Sequence, residues 1–219
     1  MKKSDSFFKK FDFGIFKRFI GNKYPISRYN LIFILILVEY SMLGIFLLKY
    51  YQYIVNSDGI SYISIAQKYI SGDFGNAING YWGPFYSWLL MPFLFFGSTP
   101  QYAVYSAKIM SLIIGFFTII GVRSLSYRFE MYEMIRSIIL FSIIPIILYF
   151  SLILTTPDLL ATCLLVYYLN VIFNPNYMDK LYYGVLCGTI GAIAYLCKSF
   201  AFPFFISHFL LFNFIYSTC

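Results

Sequence analysis

The segment Tyr29–Tyr50 carries only two charges, Glu39 and Lys49, in 22 residues, and this run limits what the chain can fold into. A helix rises about 1.5 Å per residue, so the run is long enough for the roughly 30 Å of hydrocarbon in a bilayer. There every backbone amide must find its partner within the segment. Further apolar stretches follow at about Tyr102–Val122, Ser137–Leu154, Leu159–Phe173, Leu181–Cys197 and Ser199–Tyr216. With 60% hydrophobic, 23% aromatic and 11% charged residues, the chain has too much apolar surface for an aqueous globule to hide. The expected fold class is all-α integral membrane, with about six transmembrane helices.

Charge placement predicts the orientation. Residues 1–28 form a basic arm with Lys2, Lys3, Lys9, Lys10, Lys17, Arg18, Lys23 and Arg28 interleaved with Phe, a pattern suited to an interfacial segment on the inner leaflet. The arm is too long and too aromatic for a signal-peptide n-region, and no small-residue cleavage site follows the first span, so an uncleaved anchor is expected. Positive charge near spans stays cytoplasmic. The N-terminus is then inside, as are Arg123, Arg128, Arg136 and Lys180, while Lys49, Lys68, Lys108 and Lys198 lie on or near the outer half. The net charge of +7 reads as attraction to anionic lipid rather than to nucleic acid. Residues 29–219 form a single multi-pass module of the cell membrane. Cys163, Cys187, Cys197 and Cys219 show no CxxC or Cys/His spacing, which predicts free thiols and no zinc. Ser217-Thr218-Cys219 does not fit a prenylation signal.

One connection is much longer than a turn requires, about residues 51–101, and function is to be sought there. From about Asp58 it predicts an amphipathic surface helix: Tyr62, Ile63, Ala66, Tyr69 and Ile70 on one face, Ser61, Ser64, Gln67, Lys68 and Ser71 on the other. Ser71-Gly72-Asp73-Phe74-Gly75 ends it, and Gly80-Tyr81-Trp82-Gly83-Pro84 turns the chain into an apolar stretch, Phe85–Phe96, expected to dip toward the membrane without crossing. A crossing would place the Arg123–Arg136 loop outside, against the charge rule.

Two carboxylates flank the spans on that outer face, Asp58 in Asn56-Ser57-Asp58-Gly59 and Asp158 in Thr155-Thr156-Pro157-Asp158. Each has a structural alternative: Asp58 or Ser57 as the cap of the surface helix, and Thr156-Pro157-Asp158 as N-cap, first-turn proline and dipole-favoured acid. Glu39, in the middle of the first span, costs about 2.5 to 3.5 kcal/mol on insertion scales and calls for a partner, Lys108 if the two spans adjoin. His208 is expected to bond a neighbouring helix. Trp82 and Trp88, with Tyr81 and Tyr86, suit either sugar stacking or a membrane interface.

Asp58, Tyr62 and Ala66 follow the first span; Tyr81-Trp82-Gly83-Pro84-Phe85-Tyr86 leads to an apolar run ending Phe95-Phe96-Gly97; Lys108 comes early in the second span; Thr156-Pro157-Asp158-Leu159 opens the fourth; and Ala194-Tyr195-Leu196-Cys197-Lys198 closes the fifth. This order, over roughly Ser57–Phe204, resembles the GT-C membrane glycosyltransferases of the protein O-mannosyltransferase and lipid A aminoarabinose transferase superfamily. The resemblance implies transfer of a sugar from a polyprenyl-phosphate donor to a hydroxyl acceptor outside the cytoplasmic membrane. It implies Asp58 as the general base, with Asp158 orienting the acceptor, assisting Asp58 or helping bind a cation. Lys198 and Lys108 are then the candidates for the leaving phosphate, with Tyr62, Tyr81, Trp82 and Pro84 against substrate. Snorkelling to headgroups is the alternative for both lysines. Lys108 departs from the Arg common in the family. No DxD pair occurs, so no cofactor or divalent ion is indicated. Family members continue through more spans, which predicts a truncated or split enzyme with a downstream-encoded remainder. A non-catalytic membrane subunit or remnant is the rival, followed by a small transporter using Glu39 and Lys108, which lacks symmetry-related broken spans.

Overall fold

The computed structural model describes residues 28–97 and 99–218. Apart from Arg28, the basic arm lies outside the described residues, as does Cys219. All regular structure among the described residues is helical: α1 Arg28–Tyr51, α2 Ser57–Ile70, α3 Phe74–Ala77, α4 Pro84–Leu94, α5 Pro100–Arg128, α6 Glu133–Ser142, α7 Ile144–Tyr149, a π-helical turn Phe150–Leu154, α8 Asp158–Ile172, α9 Leu181–Cys197 and α10 Ala201–Thr218. Among the described residues three helices are long and apolar enough to cross a membrane: Arg28–Tyr51, Pro100–Arg128 and the run Glu133–Leu154. The apolar helices Asp158–Ile172, Leu181–Cys197 and Ala201–Tyr216 are shorter.

α5 is the central column, touching α1, α4, α6, the π turn and, most extensively, α8. Its residues explain why. Ala103, Ser106, Ala107, Ser111, Gly115 and Gly121 are small and buried, and small side chains let helices approach closely where there is no hydrophobic drive between them. At Gly115 an added Cβ would lie 2.2 Å from the Tyr40 hydroxyl and 2.5 Å from Ile147 Cγ2. Polar groups tie this seam together: Tyr40 donates to the Leu112 carbonyl at 3.0 Å, and Ser151 donates to the Ser111 carbonyl at 3.2 Å. Asn170 of α8 donates to the Gly121 carbonyl at 2.9 Å. α9 packs on α8 and α10 on α9, where the Tyr168 hydroxyl and His208 Nδ1 lie 2.9 Å apart. His208 thus bonds a neighbouring helix.

The outward flanks of α1 and α10 remain apolar and uncovered, with Met42, Ile45, Phe46, Leu210, Leu211 and Phe214 all exposed. Pro145 at the start of α7 breaks the Glu133–Leu154 run after Ser142 by removing a backbone donor.

The surface-helix expectation needs one revision. α2 forms as expected and ends at Gly72, whose φ of +78° suits glycine. Its apolar face is covered by α4, however: Ser87 donates to the Tyr62 carbonyl at 2.9 Å, and the Tyr62 and Tyr86 rings meet edge to face. The stretch Phe85–Phe96 thus supplies a protein partner for that face. At 11 residues, α4 is about 16 Å long, short of a bilayer core.

Candidate functional site

Four separate segments meet at one end of the bundle: the start of α2, the start of α4, the Thr155–Asp158 turn and the end of α9. Close backbone approaches hold them there. A Cβ on Gly59 would lie 3.0 Å from the Thr155 carbonyl oxygen, and one on Gly83 would lie 2.5 Å from the carbonyl oxygens of both Leu196 and Cys197. Only glycine allows backbones to approach this closely. The Tyr86 hydroxyl donates to the Thr155 carbonyl at 3.3 Å, and Cys197 Sγ lies 3.5 Å from the Pro157 carbonyl.

Asp58 enters this corner from the first turn of α2. Neither Asp58 nor Ser57 caps that helix. The cap is Asn56, whose side chain accepts from the Asp58 backbone N–H at 2.9 Å. The Asp58 carboxylate makes no hydrogen bond or ion pair among the described residues and is exposed.

Asp158 opens α8 and is bonded on both oxygens. Thr156 Oγ1 donates to Oδ2 at 2.6 Å, and Lys198 forms an ion pair with Oδ1. Thr156 therefore serves the Asp158 side chain, and α8 has no side-chain cap. The Asp158–Lys198 pair is partly exposed, with side-chain exposures of 35% and 29%. An exposed pair of this kind contributes about 0.2 to 1 kcal/mol, a tie that an incoming anion can displace.

Lys108 has a different environment. It is 0% exposed, and its ammonium donates to the carbonyls of Ile54 and Leu152. These lie beyond the ends of α1 and within the π turn, where carbonyls lack helical donors. Lys108 joins the segment after α1 to the π turn, and Glu39 is not its partner. Among the described residues the ion pairs are Arg136–Glu133 and Lys198–Asp158. Glu39 is half-buried without either.

Aromatic rings form the wall behind the acids. Tyr62 meets Trp82 edge to face at 5.0 Å, and Tyr81 meets Trp82 at 4.7 Å. Tyr81 itself is 83% exposed. Pro84 stands at the first position of α4, where its fixed φ suits the helix start. Burial pushes the Tyr62 phenol well above its ordinary pKa, and Cys197 and the negative charges of Asp158 and Asp58 add to this. Tyr86 is raised for the same first reason, burial. Both phenols stay neutral at physiological pH, and both acids bear on the same ring.

Several contributors were not read from the sequence. Thr155 is a β-branched residue at φ +51°, completely buried, with an Oγ1 that has no hydrogen-bond partner. Strain and an orphaned hydroxyl of this kind concentrate at functional sites, but a single Thr gives no local signal of it. Asn56 as cap had a signal in its residue type, and Tyr86 lay inside a motif already noted. No group of three or more His, Cys, Asp or Glu positioned to hold a metal ion occurs among the described residues.

Compared with family models, curated proteins and solved structures, the chain matches none of them.

Proposed function

We propose that this chain is a membrane glycosyltransferase module that moves a sugar from a polyprenyl-phosphate donor to a hydroxyl acceptor on the external face. The observation that carries this reading is that the Asp58 carboxylate, unpaired among the described residues, and the Asp158–Lys198 pair both bear on Tyr62 at one end of an apolar helical bundle. Asp58 takes the proton of the acceptor hydroxyl, and the acceptor oxygen bonds the anomeric carbon. The bond from that carbon to the phosphate oxygen breaks, and its electron pair leaves on the polyprenyl phosphate. A base within reach and a cation on the leaving group are what this displacement needs. Lys198 passes from Asp158 to the phosphate, a Lys ammonium being a compact charge for that group. Trp82 and Tyr62 border the space where the sugar would sit.

In this reading all six apolar helices cross the bilayer, the three shorter ones tilting little and thinning it locally. The N-terminus is cytoplasmic and the α2–α4 loop external. Thiol labelling of the intact cell with single cysteines beside Asp58 and Asp158 is expected to modify both from outside. Modification only after the inner face is opened would overturn the orientation.

The catalytic test is transfer of label from radiolabelled polyprenyl-phosphate sugars in membranes containing this chain. Transfer above the level of membranes lacking the chain is expected. Correctly inserted protein with no transfer would instead favour a non-catalytic subunit, which the mutual neutralisation of Asp158 and Lys198 equally suits.

A further inference from the structure

The polar face of α2 does not point into empty solvent. It forms one wall of a groove of about 440 Å³, lined on its polar side by Ser61, Ser64, Lys68, Asn76, Asn79 and Trp82. The opposite wall is the α3–α4 connection, and its shape is fixed by hydrogen bonds. Asn79 Oδ1 accepts from the backbone N–H groups of Tyr81 and Trp82 at 3.1 and 2.7 Å. Asn76 is fastened by its amide to both Asp73 oxygens, and Lys68 donates to the Asn76 carbonyl at 3.3 Å. Trp82 is held between Tyr62 and Tyr81.

We infer that this groove binds a saccharide. No carboxylate lines it, and its one cation, the Lys68 ammonium, is fastened to the Asn76 carbonyl. It offers a half-buried indole and small polar groups. Among the described residues the Ser64 hydroxyl makes no hydrogen bond, and Ser61 makes only a long one, 3.3 Å to the Ser57 carbonyl. Each hydroxyl can donate and accept, which suits vicinal sugar hydroxyls, while the indole face suits the C–H side of a pyranose ring. Few polar groups on a fixed frame are what orient a small ligand in a cleft.

The groove runs along α2 toward the catalytic corner. Ser61 stands three residues after Asp58, about 4.5 Å along the helix axis, and residues three apart are neighbours on a helix surface. A saccharide seated between Ser61 and Ser64 therefore places a hydroxyl beside the free Asp58 carboxylate. Only in calling this saccharide the acceptor does the inference rest on the transferase reading.

The test uses the full chain in detergent or nanodiscs with Trp88→Phe, which leaves Trp82 as the single tryptophan. Methyl mannoside, methyl glucoside and methyl N-acetylglucosaminide are each titrated against tryptophan emission. A saturable change with at least one of them is expected. Ser64→Leu, which fills the groove without removing a hydrogen bond of the fold, is expected to weaken it by about tenfold or more. Absence of a saturable change with all three, or binding untouched by Ser64→Leu, would overturn the inference. Saccharide binding without transfer upholds the groove and removes the transferase reading. Transfer with an acceptor KM indifferent to Ser64→Leu does the reverse.

Discussion

Asp58→Asn is expected to lower sugar transfer by about 10²- to 10⁴-fold, the usual contribution of a general acid or base, with the protein still folded and inserted. The structure makes this substitution unusually clean. The capping of α2 belongs to Asn56, which accepts from the backbone N–H of residue 58 and not from its side chain. Among the described residues the carboxylate at position 58 has no hydrogen bond or ion pair to lose. Its removal withdraws a negative charge that bears on Tyr62 but breaks no contact. Turnover measured with labelled donor, beside a thermal unfolding curve in detergent, separates the two roles. Near-normal transfer would remove Asp58 as the base. A large fall in unfolding temperature would show that the side chain has a structural task.

The second large effect is on stability. Lys108→Met keeps the unbranched stem, one heavy atom shorter, and deletes the ammonium, leaving the Leu152 and Ile54 carbonyls without their donor. Neither of these carbonyls accepts a backbone hydrogen bond from the turns and loops around it. An orphaned buried carbonyl costs about 1 to 3 kcal/mol, and the partly buried Ile54 carbonyl adds less, so the expected loss is about 2 to 4 kcal/mol. Thermal unfolding of the purified protein reads it directly. An unfolding temperature unchanged by Lys108→Met would mean that the ammonium does not hold the end of α1 to the π turn. A phosphate-binding Lys108 would instead show normal stability and a raised donor KM.

These two lysines show how far a linear reading reaches. Lys108 lies within the predicted span Tyr102–Val122 and Lys198 directly after Leu181–Cys197, both toward the outer half, and for each the sequence offers the same two roles, phosphate partner or snorkelling cation. The difference comes from neighbours distant in sequence. Lys108 points where the end of α1 and the π turn converge, while Lys198 follows α9 out to a partly exposed position beside Asp158. The cap of α2 was closer to legible, since Asn56 is among the best capping residues, yet Asp58 and Ser57 have similar propensities. Which of three adjacent candidates caps is decided by where the helix starts. Thr155 had no signal at all, because a β-branched residue at positive φ is imposed by its surroundings against its own preference.

The sequence alone determined that the chain is helical and apolar, where its apolar helical runs begin and end to within about six residues, and that Gly72 and Pro84 punctuate the long loop. These are properties of runs and single residues: hydrophobic length, helical period, and the special backbones of glycine and proline. It also marked Ser61, Ser64 and Lys68 as a polar face. Only the tertiary structure decided that α4 and not lipid covers the other face of α2, that Asp158 and Lys198 pair, that Lys108 is buried, and that the polar face lines a groove. Each of these depends on which helices become neighbours, and that is set by shape: the small residues of α5 admit α1 and α8, and Gly59 and Gly83 let the loop sit directly on the turn before α8 and the end of α9. Such contacts are made between residues far apart in the chain, where no local pattern records them.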